Sequence, residues 1–372
     1  MAWIEKRSSG YLVRWRDGQG KKHQRLVYDE SSAHRLARSL RSEPRRAPRP
    51  TGVTLAGYLD ATLRAADDLR ESTRYHYALM ARKHIAPLIG HLPLTQVTSA
   101  DVREVLATMR EAGYSSSYRS IARNVLARTC ALAVSEGLLP QNPLAAVPIL
   151  KQPARPEVMP LDVREVEALA DAILPRYRAA VLVMAYAGLR VGEVGALSTQ
   201  NLNLLRQELR VVSGVSRAGG RLLIGPPKTA AGRRTVPLPQ FLARELREHI
   251  DAFGLAPDGR VFHTPHVNQH TDEFGLLHAS SLHKPFKAAR ELVGLPHVHP
   301  HTLRHSYAAF LIREGAHEKV LQVLMGHTSI KTTMDLYGHL LPGLGQEMAD
   351  RLESARRVAF GRCGLPESGR HV

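Results

Sequence analysis

The chain is poor in cysteine and aromatic residues, has fewer acidic than basic residues, and lacks a long apolar run. Each deficit closes off a class of protein. Two cysteines in 372 residues, Cys130 and Cys363, cannot build a disulfide framework and carry no zinc-ligand spacing. They fit a reducing compartment, where lone thiols pack as small apolar groups. The longest apolar stretch, Ala179 to Leu189, falls far short of the roughly 18 residues that a membrane span needs. No charged leader followed by an apolar segment is visible, so the expectation is a soluble, intracellular protein. Aromatic residues make up 5% of the chain, too few for the basic amphipathic helix that binds anionic membrane surfaces. A Gly-rich phosphate loop, a His-Glu-x-x-His pattern and a dense carboxylate cluster for two magnesium ions are all missing, so any work on phosphates falls to the chain's own cations.

What is present is charge and enough apolar material for real cores. Hydrophobic residues make up 44%, and 51 Lys and Arg against 34 Asp and Glu give a formal charge of +17. With a pI near 10.2, the expected partner is a polyanion, nucleic acid before any other. The excess is uneven: residues 1 to 50 hold 13 basic and 5 acidic residues. Short β-prone runs in this region, Trp3-Ile4, Tyr11 to Trp15 and Leu26 to Tyr28, are separated by turn residues and predict a small three-stranded antiparallel sheet. A helix is expected over Ser31 to Ser42, followed by a stiff basic linker with Pro44, Pro48 and Pro50 among Arg45, Arg46 and Arg49.

From residue 51 to 148 the periodicity is helical, with segments at Leu55 to Ala66, Ser72 to Ile85, Ser99 to Glu111 and Ser115 to Glu136. Breaks are expected at Pro87 to Pro93, Gly113, and Gly137 to Pro143. Residues 149 to 160 read as a second linker. The remainder, 161 to 354, alternates helices with one β-rich interruption. Helices are expected at Val166 to Leu174, Tyr177 to Ala187, Phe241 to Phe253, Ser281 to Val293, Thr302 to Glu314, Lys319 to Met325 and Ile330 to Leu336. Strands are expected at Leu209 to Val215, Arg221 to Ile224 and Arg234 to Pro237. Residues 355 to 372 form a tail without a motif. The fold class is therefore mainly α with small β-sheets, an α+β chain of several domains.

Several short pieces could carry chemistry. In Gly188-Leu189-Arg190-Val191-Gly192-Glu193 an arginine follows a glycine turn at the end of an apolar helix. It needs an anionic partner, either Glu193 at i+3 or an external anion, and the sequence leaves both open. Lys228 follows Pro226-Pro227 in a turn between expected strands, which would hold an amine on a short hairpin. In His299-Pro300-His301-Thr302-Leu303-Arg304-His305, Pro300 can start a helix on which His301 and Arg304 share a face. The crowd of His297, His299, His301 and His305 raises zinc, but no cysteine lies nearby and no His-Glu-x-x-His pattern occurs. Leu324-Met325-Gly326-His327 follows, then Tyr337 before Gly338-His339.

This ordered set resembles the tyrosine recombinase family of phage-type integrases. The likeness runs through Gly-Leu-Arg-x-Gly-Glu at 188 to 193, His-x-Leu-Arg-His at 301 to 305, Leu-x-Gly-His at 324 to 327, and Tyr337. Met325 stands where leucine is common in the family. The resemblance extends upstream, residues 51 to 148 being similar to the family's helical core-binding (SAM-like) domain and 1 to 45 to its arm-type DNA-binding module. Residues 46 to 50 would then be the basic linker and 161 to 354 the catalytic domain.

The resemblance implies a site-specific DNA recombinase with Tyr337 as nucleophile and Arg190, Lys228, His301, Arg304 and His327 as its catalytic company, Glu193 orienting the arginines. It implies a 3′-phosphotyrosyl intermediate, no cofactor and no metal. Implied partners are double-stranded DNA at core and arm sites and a homotetramer working through a Holliday junction, with an excisionase and a DNA-bending host factor as accessories, at the nucleoid of a bacterial cytoplasm. Candidate DNA-binding residues are Arg14, Arg16, Lys21, Lys22, Arg45, Arg46 and Arg49. Two other readings share some of these residues, a type IB-like topoisomerase and a catalytically silent DNA-binding protein. The arm-like module and separate core-binding domain favour recombination.

Overall fold

The computed structural model describes residues 3–7, 10–16, 22–41, 52–150, 159–267, 274–329, 331, 349–350 and 352–357. The chain divides into two compact units, Met1–Arg155 and Pro156–Val372. It is mainly helical with small antiparallel sheets. Among the described residues no helix is long and apolar enough to cross a membrane.

The first unit opens with a three-stranded sheet in the order β1-β2-β3, formed by β1 (Trp3–Arg7), β2 (Gly10–Arg16) and β3 (Lys22–Val27). The register sets Ile4 opposite Val13 and Val13 opposite Arg25. Helix α1 (Glu30–Arg41) lies on this sheet, and Val13, Ala33 and Ala37 form its small core with Ile4, Tyr11, Trp15 and Val27 packed around them.

A helical bundle follows: α2 (Leu55–Arg64), α3 (Glu71–Met80), α4 (Ala86–Ile89), α5 (Ser99–Glu111) and α6 (Ser116–Ser135). Side chains start three of these helices by accepting a free backbone N–H, Thr54 from Gly57 at 3.2 Å, Thr98 from Asp101 at 3.3 Å and Ser115 from Tyr118 at 3.2 Å. Leu55, Leu59, Ile85, Val102, Val125 and Leu126 meet in the core. One expectation is corrected here. The helix does not stop at Ile85, because a π turn over Ala81–Ile85 carries it into α4. Pro87 falls in the first turn of α4, directly after the π turn, so the break in regular α-helical bonding that a proline brings coincides with that turn.

The second unit holds α7 (Val163–Ala172), α8 (Pro175–Tyr186), the short α9 (Val191–Gly195), α10 (Gln240–Phe253), α11 (Ala279–Leu292), α12 (Pro300–Arg313) and α13 (Glu318–Met325). The apolar run seen in the sequence explains α8: Ala179 through Ala185 are all at or below 2% exposure, and α7, α10 and α12 pack around it. The strands are β4 (Leu202–Asn203), β5 (Glu208–Val211), β6 (Gly214–Ala218), β7 (Arg221–Gly225), β8 (Arg234–Pro237), β9 (His263–Val267) and β10 (Phe274–Leu276).

Two further corrections fall here. The single strand expected over Leu209 to Val215 is split at Val212-Ser213, with β5 between β4 and β8 in one sheet and β6 paired only with β7 in another. Lys228 is therefore not on a hairpin: β7 and β8 pair with different partners, and Lys228 lies on the connection between two sheets. The β9–β10 hairpin was not expected at all.

Candidate active site

Gly188, Leu189 and Arg190 join α8 to α9. Gly188 has φ +65, and a β-carbon there would stand 2.3 Å from Tyr307 Cδ1, so glycine alone lets α12 close on this bend. The bend turns Arg190 out of the apolar core. Its side chain keeps 41% exposure, against 7% for Glu193. The sequence left open an internal or an external partner, and the structure supplies the first without closing the second. Arg190 Nη1 donates to Glu193 Oε1 at 2.7 Å, its backbone N–H donates to Oε2 at 3.0 Å, and its outer edge faces solvent.

Glu193 is the hub of the site. Arg234 Nη2 donates to its Oε2 at 2.9 Å and Nη1 to its Oε1 at 3.3 Å, while Arg304 Nη1 stands 4.0 Å from Oε2. Burial raises the carboxyl's pKa, but the hydrogen bonds and charge of Arg234, with the charges of Arg304 and Arg190, outweigh it and bring it to about 2. Glu193 is thus ionised at any physiological pH.

Helix α12 begins at Pro300, with the His299 N–H donating to Thr302 Oγ1 at 3.1 Å. Its first residues include His301 and Arg304, three apart, and the two differ in exposure. His301 is exposed, whereas Arg304 is 1% exposed and turned inward. Arg304 Nη1 donates to the Gly188 carbonyl and Nη2 to the Met325 carbonyl, so α12 is tied to both other segments of the site. A guanidinium this buried is tolerated because carbonyls and a carboxylate replace its water.

The histidines report the field of these arginines. His301 meets His305 edge-on, with 4.7 Å between ring centres. Its pKa is lowered, first by the protein packed around the ring and then by Arg304 and Arg190. Desolvation, then the charges of Arg304, Arg190, Arg234 and His301, lower His327 to about 4. Desolvation, then His301, Arg304 and His327, lower His305 to about 4. At neutral pH the His305 and His327 rings are uncharged, and His301 is shifted in the same direction. His327 follows Gly326, which ends α13 in the left-handed region at φ 60. A β-carbon on Gly326 would lie 3.0 Å from the Ala231 carbonyl and 3.1 Å from Arg234 Nη1, so this turn sits against the segment that follows Lys228.

The structure therefore brings Arg190, Glu193, His301, Arg304 and His327 together and leaves Lys228 exposed on its connection. Tyr337 lies outside the described residues, as does most of the helix expected over Ile330 to Leu336. Among the DNA-binding candidates, Arg14 Nη1 pairs with Glu5 Oε2 at 3.1 Å, and Arg16 stands opposite exposed Lys22 in the sheet register. Lys21, Arg45, Arg46 and Arg49 lie outside the described residues. The residue that the motif reading missed is Arg234, buried beside Glu193. Alternation along β8 carried the signal, because Arg234 shares the inward face with Val236 while Thr235 and Pro237 point out.

Residues 160–343 match the phage integrase family, and residues 64–109 match the phage integrase N-terminal SAM-like domain. The integrase of Mycobacterium phage D29 is 30% identical over 275 residues, which cover 73% of this chain and 71% of that one. Among solved structures, the Tn1549 transposon integrase in complex with a circular intermediate DNA aligns with TM-score 0.64 at 20% identity, covering 77% of this chain and 95% of that one. A lambda integrase tetramer bound to a Holliday junction aligns with TM-score 0.56 at 20% identity, covering 88% and 92%.

Proposed function

The chain belongs to the phage integrase family, and on that premise we propose that it is a site-specific recombinase that cuts and rejoins duplex DNA through a tyrosine. The observation that carries the reading is the gathering of Arg190 and Arg304 around one buried carboxylate, with His301 and His327 in their field. Transfer of a phosphodiester to a phenol needs this kind of charge. A phenol of pKa about 10 is three units short of ionised at neutral pH, roughly 4 kcal/mol, and nearby cations must make up the difference.

In the proposed step, the Tyr337 oxygen attacks phosphorus, its proton passes to neutral His301, and the bond to the 5′ oxygen breaks. Lys228 delivers a proton to that leaving oxygen. Arg190, with its exposed edge, and Arg304, from within, stabilise the charge that builds on the non-bridging oxygens. His327 adds a neutral hydrogen bond. The 3′-phosphotyrosyl ester keeps the energy of the original phosphodiester, so a 5′ hydroxyl from another duplex reverses the step without a nucleotide cofactor. Positive charge comes from the chain's own side chains, so no metal is needed for it.

The same reading assigns roles along the chain. Residues 1 to 45, joined by the basic linker 46 to 50, form an arm-type DNA-binding module, 51 to 148 the core-binding domain and 161 to 354 the catalytic domain, with 149 to 160 as linker and 355 to 372 as tail. The partners are core and arm sites on duplex DNA and three further copies of the chain, with an excisionase and a DNA-bending host protein setting direction, at the nucleoid of the host cytoplasm. The test is a nicked suicide duplex carrying the core site. Native protein forms a covalent adduct that persists in EDTA, and Tyr337→Phe binds the duplex but forms none. No adduct from native protein, or an adduct from the Phe variant, refutes the reading.

A further inference from the structure

Arg234 belongs to none of the motifs that pointed to the site, yet it touches three of the segments that build it. Its Nη1 and Nη2 lie on the two oxygens of Glu193, at 3.3 and 2.9 Å. Its Nε donates to the Leu324 carbonyl at 2.7 Å, in the last turn of α13 just before Gly326 and His327. Nη1 also donates to the Gly232 carbonyl at 3.2 Å, on the segment that follows Lys228. The side chain is 2% exposed.

Glu193 is one anion among three guanidinium groups, and its oxygens are not shared evenly. Oε2 is taken by Arg234 at 2.9 Å, while Arg304 stands off at 4.0 Å, beyond hydrogen-bonding distance. Oε1 accepts from both Arg190, at 2.7 Å, and Arg234, at 3.3 Å. We infer that Arg234 is a positioning residue for strand transfer: by hydrogen-bonding both oxygens of a Glu193 that already holds Arg190, it limits the carboxylate's pull on Arg304 and leaves more of the Arg304 charge to act on a phosphate. Without it, the carboxylate that already holds Arg190 would be open to Arg304 as well, and a bidentate carboxylate is the nearest mimic of the phosphate that Arg304 is to meet. This inference rests on the recombinase reading above.

The test is a double-mutant cycle, read as single-turnover cleavage of the nicked suicide duplex at saturating DNA. In the native background, Arg234→Gln should slow cleavage about a hundredfold with duplex affinity unchanged, the size of effect seen when one transition-state donor is lost. With Glu193→Gln already present the acid can no longer compete, and Arg234→Gln should then change the rate by less than about threefold. Arg234→Lys keeps the charge beside Glu193 and should stay within about tenfold of native. If Arg234→Gln does not melt cooperatively, Arg234→Lys and the comparison within the Glu193→Gln background carry the test. Equal losses in both backgrounds would mean that Arg234 acts only by holding the Leu324 and Gly232 carbonyls, and would overturn the inference, as would no loss in either. Native protein that cleaves while the cycle shows no coupling sinks the role of Arg234 alone. Native protein that forms no adduct sinks the recombinase reading and this inference with it.

Discussion

Burial first, and the charges of neighbouring groups after it, shift each histidine of the site towards its neutral form. Desolvation followed by the charges of Arg304, Arg190, Arg234 and His301 brings His327 to about 4, and His301 moves the same way. Single-turnover cleavage between pH 8 and 5 should therefore show no acid inflection at the ordinary histidine value of about 6.5. An inflection there would mean that these rings titrate freely. Arg190 makes a different demand, because in the proposed step its fork serves Glu193 on one edge and a phosphate on the other. Arg190→Lys keeps the charge and loses the fork, so cleavage should fall about a hundredfold while duplex affinity holds, checked by adduct kinetics against gel-shift titration. Far from the chemistry, His249 is 5% exposed and its pKa is lowered to about 4, chiefly by burial. Its folded pKa lies below the unfolded value, so its neutral form favours the folded state fully above pH 6.5. That contribution declines as pH falls from 6.5 towards 4, by up to about 1.4 kcal/mol per unit. His249→Phe, beside Phe253 and Phe262, should flatten the acid limb of thermal stability, and an unchanged limb would reject the assignment.

Elements were legible in the sequence where one kind of signal dominated. Helix α8 was visible as an apolar run because it is buried on every side, and α5 by its helical periodicity, since Val102, Val105, Leu106 and Met109 bury one face. The split between β5 and β6 was not legible, since Leu209 to Val215 is one β-prone run and only pairing with β8 on one side and β7 on the other breaks it. Lys228 was misplaced for the same reason, as local pattern cannot say which strands are partners. The continuation through Pro87 was hidden because a proline in the first turn of a helix looks like a proline that ends one. Arg234 was overlooked because its value comes from Glu193, forty-one positions away in sequence. The bend at Gly188 gives a test at this scale. Gly188→Ala forces a β-carbon against the Tyr307 ring and a positive φ on alanine, so it should destabilise by about 1 to 3 kcal/mol. Adding Tyr307→Leu should recover part of that loss in thermal melting; no recovery would place the strain in the backbone rather than the ring contact.

At the scale of the whole molecule, a charge of +17 suits a polyanionic partner, while in the proposed reaction the chemistry falls to the few residues of the site. The two can be separated. Replacing Lys21, Lys22, Arg45, Arg46 and Arg49 by glutamine should flatten the salt dependence of arm-site binding by up to about 4.5 in log–log slope, one phosphate contact being worth about 0.9, while core-site cleavage stays near native. A slope unchanged by the substitutions would remove these residues from the DNA-binding surface. The central claim, that the site hands a DNA strand to one tyrosine, is tested most directly by mass spectrometry of the trapped adduct after digestion. The expected result is a single modified peptide, with Tyr337 esterified to the 3′ phosphate of the cleaved strand. A nucleotide on any other residue, or attachment through a 5′ phosphate, would contradict it.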